Sequence, residues 1–202
     1  MENSSANETL KTIYRRRSIR QFEDIPVEEE LIKAVLDAAN QAPSAHNQQS
    51  WRFIVIRDEK KNQLAQLVTK KASEFPKPSS SILRMAARSI GNAPVVIAVM
   101  NTGTLIHHGT ELFNVAEDLS EDFFRTMEIQ SSAAAVENLL LASTSLGLGS
   151  VWLGVLFLIK TEILSFLGEA QGEFMAVIPL GYPKKEHDSP KKKALEYVVK
   201  KL

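Results

Sequence analysis

The sequence predicts an α+β fold in a single domain covering residues 1–202. Three observations carry that prediction. At 202 residues the chain is long enough to bury a sizeable core. Four or five apolar runs of strand length stand among about six segments of helical periodicity. The helices do not alternate regularly with the strands, which disfavours a doubly wound sheet.

The elements follow in order. Asn7 or Ser5 can cap a first helix running to about Arg17, with Leu10, Ile13 and Tyr14 on one face. Pro26 stands at a natural helix start, and Leu31, Ala34, Val35 and Ala38 repeat at helical spacing until Pro43 forces a stop. Residues 51–57 read as a strand, 59–74 as a charged helix and 82–91 as another helix after a Pro/Ser loop. Pro94 to Met100 is the strongest buried strand. The acidic segment 102–124 has no clean period and reads as a long loop or irregular helical excursion, of the kind often tied to function. A helix over about 126–146, a short strand or turn at 149–154, a helix over 160–167, a strand at 174–180 and a β-rich tail at 195–199 complete the chain.

Composition narrows the function. The 24 basic and 24 acidic residues cancel, and a pI near 6.9 gives no overall pull toward nucleic acid or membrane. With zero cysteines, disulfides, thiolate metal sites and thiol nucleophiles are excluded, which fits a reducing compartment. The N-terminus lacks a charged region followed by an apolar one, and no apolar run reaches spanning length, so a cytoplasmic location is expected.

Four stretches carry candidate chemistry. In "YRRRSIRQF", arginines at a helix end complement the macrodipole without any ligand. Ser18 and Arg20 fall beyond that end, where a hydroxyl and a forked guanidinium suit a phosphate. The stretch alone fits both readings. "APSAHNQQSW" concentrates neutral hydrogen-bonding groups that could read a heterocycle edge, although taken alone it is an ordinary helix-to-strand loop. "LGLGSVWLG" is not a dinucleotide fingerprint, because its glycines follow a helix with the wrong spacing. Gly154 within it permits close approach of backbone to a flat ligand. The lysine run 191–193 is either a solvated tail or a second cation for the same phosphate. His107, His108 and Glu111 have helical spacing but no evident third ligand, so no metal is expected. Nucleophile elbow, Walker A loop and zinc-protease signatures are absent, and no catalytic side chain stands out.

In this order and spacing, "RRSIRQF", "APSAHNQQSW", "LGLGSVWLG" and "VIPLGYP" with its lysines resemble the FMN-dependent nitroreductase family, over about Thr9 to Val199. The resemblance implies a nitroreductase-like fold: a mostly antiparallel sheet of four to five strands surrounded by helices, the C-terminal strand exchanged with a partner subunit. It implies a homodimer with FMN at the interface and small-molecule acceptors, without nucleic acid or membrane as partners. On that pattern Arg16, Arg17, Ser18 and Arg20 hold the phosphate and the pyrimidine side of the flavin. Ser44, Ala45, Asn47 and Gln49 match the loop contributed by the partner, and Trp152, Leu153 and Gly154 lie along the ring, with a backbone N–H toward N5. Lys192, with Lys191 and Lys193 beside it, takes the place of a phosphate-binding arginine. The implied activity is ping-pong hydride transfer from NAD(P)H through the flavin to nitroaromatics, quinones or similar acceptors, the chemistry being the cofactor's. Specialised flavin chemistry (reductive dehalogenation or flavin fragmentation) and flavin storage with little turnover are the alternatives. Segment 102–124 is then a lid with Phe113, Phe123 or Phe124 shaping the pocket, or an interface helix whose phenylalanines are core. Ser50 replaces a common proline, lysine replaces arginine near 192, and Leu153 stands where some members carry an acid.

Overall fold

A computed structural model of the chain describes residues 7–113, 116–185 and 188–202. Among the described residues there are seven α-helices and a four-stranded antiparallel sheet of order β1-β2-β4-β3. The strands are β1 (Trp51–Ile56), β2 (Val95–Asn101), β3 (Gly149–Ser150) and β4 (Glu173–Gly181). The helices are α1 (Glu8–Arg15), α2 (Glu29–Asn40), α3 (Asp58–Ala72), α4 (Ser79–Asn92), α5 (Thr104–Phe113), α6 (Glu117–Ser145) and α7 (Lys160–Leu167).

The continuous apolar run of β2 has a direct cause. Successive side chains alternate between faces, and both faces of this strand are covered. Val96, Ala98 and Met100 join a core built with α3, α4 and α7. Val95, Ile97 and Val99 join a second core built with α2 and α6. The sheet is therefore the middle of three layers.

Three expectations change. Segment 102–124 is not irregular: it is α5 followed by the first turns of α6, which begins at Glu117, not near Thr126. The period was obscured because α5 buries only Leu105 and Gly109. The tail at 195–199 is no strand within the chain; Leu195–Tyr197 form a 3-10 turn, and Leu195, Tyr197, Val198 and Val199 are exposed. The first helix stops at Arg15, capped at its start by Asn7, whose side chain accepts from Leu10 N; Ser5 lies outside the described residues. Among the described residues, no helix is long and apolar enough to cross a membrane.

Candidate functional site

The arginine segment is shaped by its exit from α1. Arg16 leaves the helical region (φ −54°, ψ 128°), and the chain then runs extended along the sheet edge. Ser18 bridges Ser150 in parallel, and Ile19 N donates to Ser150 O at 3.0 Å. Extended residues alternate, and the alternation divides the cluster. Ile19 turns inward onto Gly149. Arg17 shares a cleft of about 340 Å³ with Arg15, Lys185, Thr144, Ile19 and Gly149, and among the described residues no carboxylate lines it. Its Nη1 donates to the carbonyls of Tyr14 and Arg16, each at 2.7 Å. Arg16 points elsewhere, its Nε 3.8 Å from Glu137 on α6. Arg20 is exposed, with only a long 3.4 Å contact to Ser18 O recorded for its guanidinium. Two polar atoms of this region, Arg17 Nε and Ser150 Oγ, are buried without a hydrogen-bond partner among the described residues.

The polar loop after α2 is held in an unusual backbone conformation. His46, Asn47 and Gln49 all have positive φ (51°, 53° and 50°), a region that non-glycine residues occupy only under constraint. The constraints are visible. Ser44 Oγ accepts from Gln49 N at 3.0 Å, and Ala45 N donates to Ser131 Oγ on α6 at 3.2 Å. The Gln49 amide donates to Asn47 O and Oδ1. Trp51, buried at the start of β1, donates its indole N–H to Asn40 Oδ1 at 2.9 Å. The Asn47 and Gln49 side chains remain exposed, bonded locally and able to exchange that contact for a ligand.

Of residues 152–154, only part can face a ligand through side chains. Leu153 is buried in the core, with its N–H bonded to Val177 O at 3.0 Å. Trp152 is half-buried. Gly154 is exposed, and a methyl group there would meet nothing closer than Trp152 Nε1 at 3.5 Å, an ordinary contact. Nothing among the described residues requires a glycine at this position.

The phenylalanines of 102–124 divide as well. Phe124 is buried under α5, where Gly109 leaves room for its ring, so it holds the helical hairpin and faces no open pocket. Phe113 and Phe123 are about half exposed and pack against Phe124 at centroid distances of 5.7 and 5.1 Å. Glu128, buried on α6, accepts from Leu105 N at 2.7 Å and Gly103 N at 3.3 Å, and so fastens the start of α5. Lys191, Lys192 and Lys193 are exposed on the tail and do not line the arginine cleft. Lys185 does, though no sequence motif singles it out, and so does Arg15, which the sequence reading leaves as a cation at a helix end. The basic character of the run from Lys184 onward was the available signal.

An antiparallel sheet buried between helices, with a basic segment along its β3 edge and a constrained polar loop leading into β1 at the opposite edge, is the build of the nitroreductase fold. The chain matches the Nitroreductase family over residues 13–182 and belongs to it. A curated protein of Archaeoglobus fulgidus carrying a provisional NADH dehydrogenase/NAD(P)H nitroreductase name is 36% identical over 186 residues, covering 90% of this chain and 88% of the relative. The 5,6-dimethylbenzimidazole synthase of Rhodospirillum rubrum is 27% identical over 182 residues, covering 87% and 82%. A Desulfovibrio desulfuricans protein solved in complex with FMN superposes with a TM-score of 0.72 at 28% identity, covering 98% of this chain and 99% of that one.

Proposed function

We propose that the chain is an FMN-dependent NAD(P)H oxidoreductase that reduces nitroaromatic, quinone or similar acceptors. One observation carries the cofactor assignment: Arg17 Nε and Ser150 Oγ are buried and unpartnered on the two chain segments joined by the Ser18–Ser150 bridge. Leaving a buried donor unpaired costs about 1–3 kcal/mol, so polar atoms of this kind call for a partner outside the chain. A phosphate-bearing flavin supplies acceptors of the right kind, and a lining with Arg15, Arg17 and Lys185, and no carboxylate among the described residues, fits its charge.

On this reading Arg17, Ser18 and Arg20, joined by Arg16 once it leaves Glu137, bind the phosphate and the pyrimidine edge, and one of Lys191–Lys193, brought in from the exposed tail, adds a further cation. Ser44, Ala45, Asn47 and Gln49, held by their constrained turn, read the edge of the flavin in the partner subunit. Trp152 and the backbone of Leu153 and Gly154 lie along the ring, and the absent side chain at Gly154 allows close approach. When bound, the flavin carries hydride from NAD(P)H to the acceptor. The residues of the chain bind, orient and shield it. A homodimer accords with the exposed apolar face of α1 (Leu10, Ile13, Tyr14) and with the bare apolar tail. In the dimer that tail adds a strand to the partner's sheet, for which the unpaired edge of β1 is available. The absence of cysteine fits a cytoplasmic setting.

The test is optical. Purified protein is expected to be yellow with close to one FMN per chain, to bleach anaerobically with NADH or NADPH, and to regain colour with a nitroaromatic or quinone. Colourless protein that does not take up FMN overturns the assignment, and a flavin inert to both nucleotides points to storage. The benzimidazole synthase among the relatives favours a second reading, fragmentation of the flavin itself. Mass spectrometry of the small molecules released from reduced protein under oxygen distinguishes it.

A further inference from the structure

The polar loop and helix α5 meet at one imidazole. The left-handed turn at residues 46–49 carries the His46 side chain out of the loop, where it is exposed. Its ring stands edge-on to Phe113 at 5.2 Å between centroids, with an interplanar angle of 67°. His108, one turn earlier on the same helix, lies 6.4 Å away in a similar edge arrangement. The two ends of α5 are held by different means. Its start is tied by the buried carboxylate of Glu128, and its middle by Gly109 against Phe124 and by the 2.7 Å contact of Thr110 with Ser120. The end at Phe113 is held by ring contacts, to Phe124 within the hairpin and to His46 outside it.

We propose that His46 is a positioning residue that latches the Phe113 end of α5 to the loop carrying Ser44, Ala45, Asn47 and Gln49. The inference deepens the flavin reading and rests on it for its functional consequence. If that loop reads the flavin, the His46–Phe113 contact sets the distance between flavin and α5, and therefore the width of the space an acceptor enters. The constrained backbone fits this role. A ring held by a turn of three left-handed residues has few other places to go, so the latch is preorganised and not merely a surface contact. Edge-to-face aromatic pairs are a recurrent, geometrically specific attraction.

The experiment compares wild type, His46→Ala and His46→Phe as full-length, flavin-loaded protein. Amide exchange over 104–113 is followed by mass spectrometry, together with flavin content and steady-state kinetics using 1,4-benzoquinone. His46→Ala is expected to speed exchange in the second half of α5 by about three- to tenfold and to raise the benzoquinone KM by a similar factor, with kcat and flavin content within about twofold of wild type. His46→Phe restores both, because a phenyl ring makes the same edge contact. Unchanged exchange in His46→Ala overturns the latch. So does a His46→Phe variant that behaves like the alanine, or an effect confined to kcat. A colourless wild type would overturn the flavin reading alone, since the exchange measurement needs no cofactor and still decides whether His46 holds α5.

Discussion

At Gly149 a methyl group would lie 2.8 Å from Cβ, Cγ1 and Cγ2 of Ile19. The Cβ of Ile19 cannot swing away, so the backbone that carries Ser18 and Arg20 would have to move. Gly149→Ala is expected to destabilise by about 1–3 kcal/mol and to loosen flavin retention, read by urea unfolding and by flavin lost on dialysis. Gly154→Ala provides the contrast, because its methyl has room within the chain. Its unfolding midpoint is expected to stay within about 0.5 kcal/mol of wild type while flavin is held less tightly. Equal stability losses in the two variants would sink the distinction. Residues of this type were only partly legible in the sequence. Ser18 and Gly154 stand in recognisable motifs, whereas His46 owes its position to a left-handed backbone that non-glycine residues do not announce. Lys185 owes its importance to a cleft closed by residues more than a hundred positions away.

Elements are fastened to one another by exposed polar clasps as well as by core. After β4, Tyr182 donates its hydroxyl hydrogen to Glu28 Oε2 at 2.8 Å, just ahead of α2. Tyr182 O accepts from Glu23 N at 2.9 Å, so the same residue also holds the end of the arginine segment. The hydroxyl lowers the Glu28 carboxyl below its ordinary 4.5, helped by the residue's own backbone N–H. The carboxylate in turn raises the Tyr182 phenol above its ordinary 10.0. The signs differ. The stabilisation linked to Glu28 is present above 4.5 and is lost as pH falls through its lowered value. That linked to Tyr182 is present below 10.0 and is lost as pH rises through its raised value. Tyr182→Phe is expected to lower Tm mainly between the two limbs, where the clasp contributes, and least at the acid and alkaline extremes, so that the plot of Tm against pH is flatter; an unaltered profile would refute the clasp. Legibility at this scale follows burial. The strand β2 was plain because both its faces are apolar. Helix α2 was legible as a helix but not in its face: of the repeat Leu31, Ala34, Val35 and Ala38 only Val35 is buried, and the core side is Ile32, Val35 and Ala39. Helix α5 was hidden by a buried face reduced to Leu105 and a glycine. The tail alternates like a strand but has no partner inside its own chain.

For the whole molecule, that tail is the feature that a single chain does not explain. Leu195, Tyr197, Val198 and Val199 are more than half exposed, an arrangement at odds with apolar burial unless a second chain covers them. On the proposed homodimer, deleting residues 195–202 is expected to shift the protein from dimer toward monomer in sedimentation and to lower its Tm in a concentration-dependent way. An intact dimer of unchanged Tm would show that the tail covers nothing. The hairpin of α5 and α6 adds a different asymmetry. Helix α5 is clamped at one end by a buried carboxylate and spans about 15 Å over its ten residues. Its middle is held too, by Gly109 against the buried Phe124 ring and by Thr110 on Ser120, so it is fastened to α6 along its length. A hairpin locked in that way offers rim side chains, not a hinge, as the means of fitting whatever lies beside it.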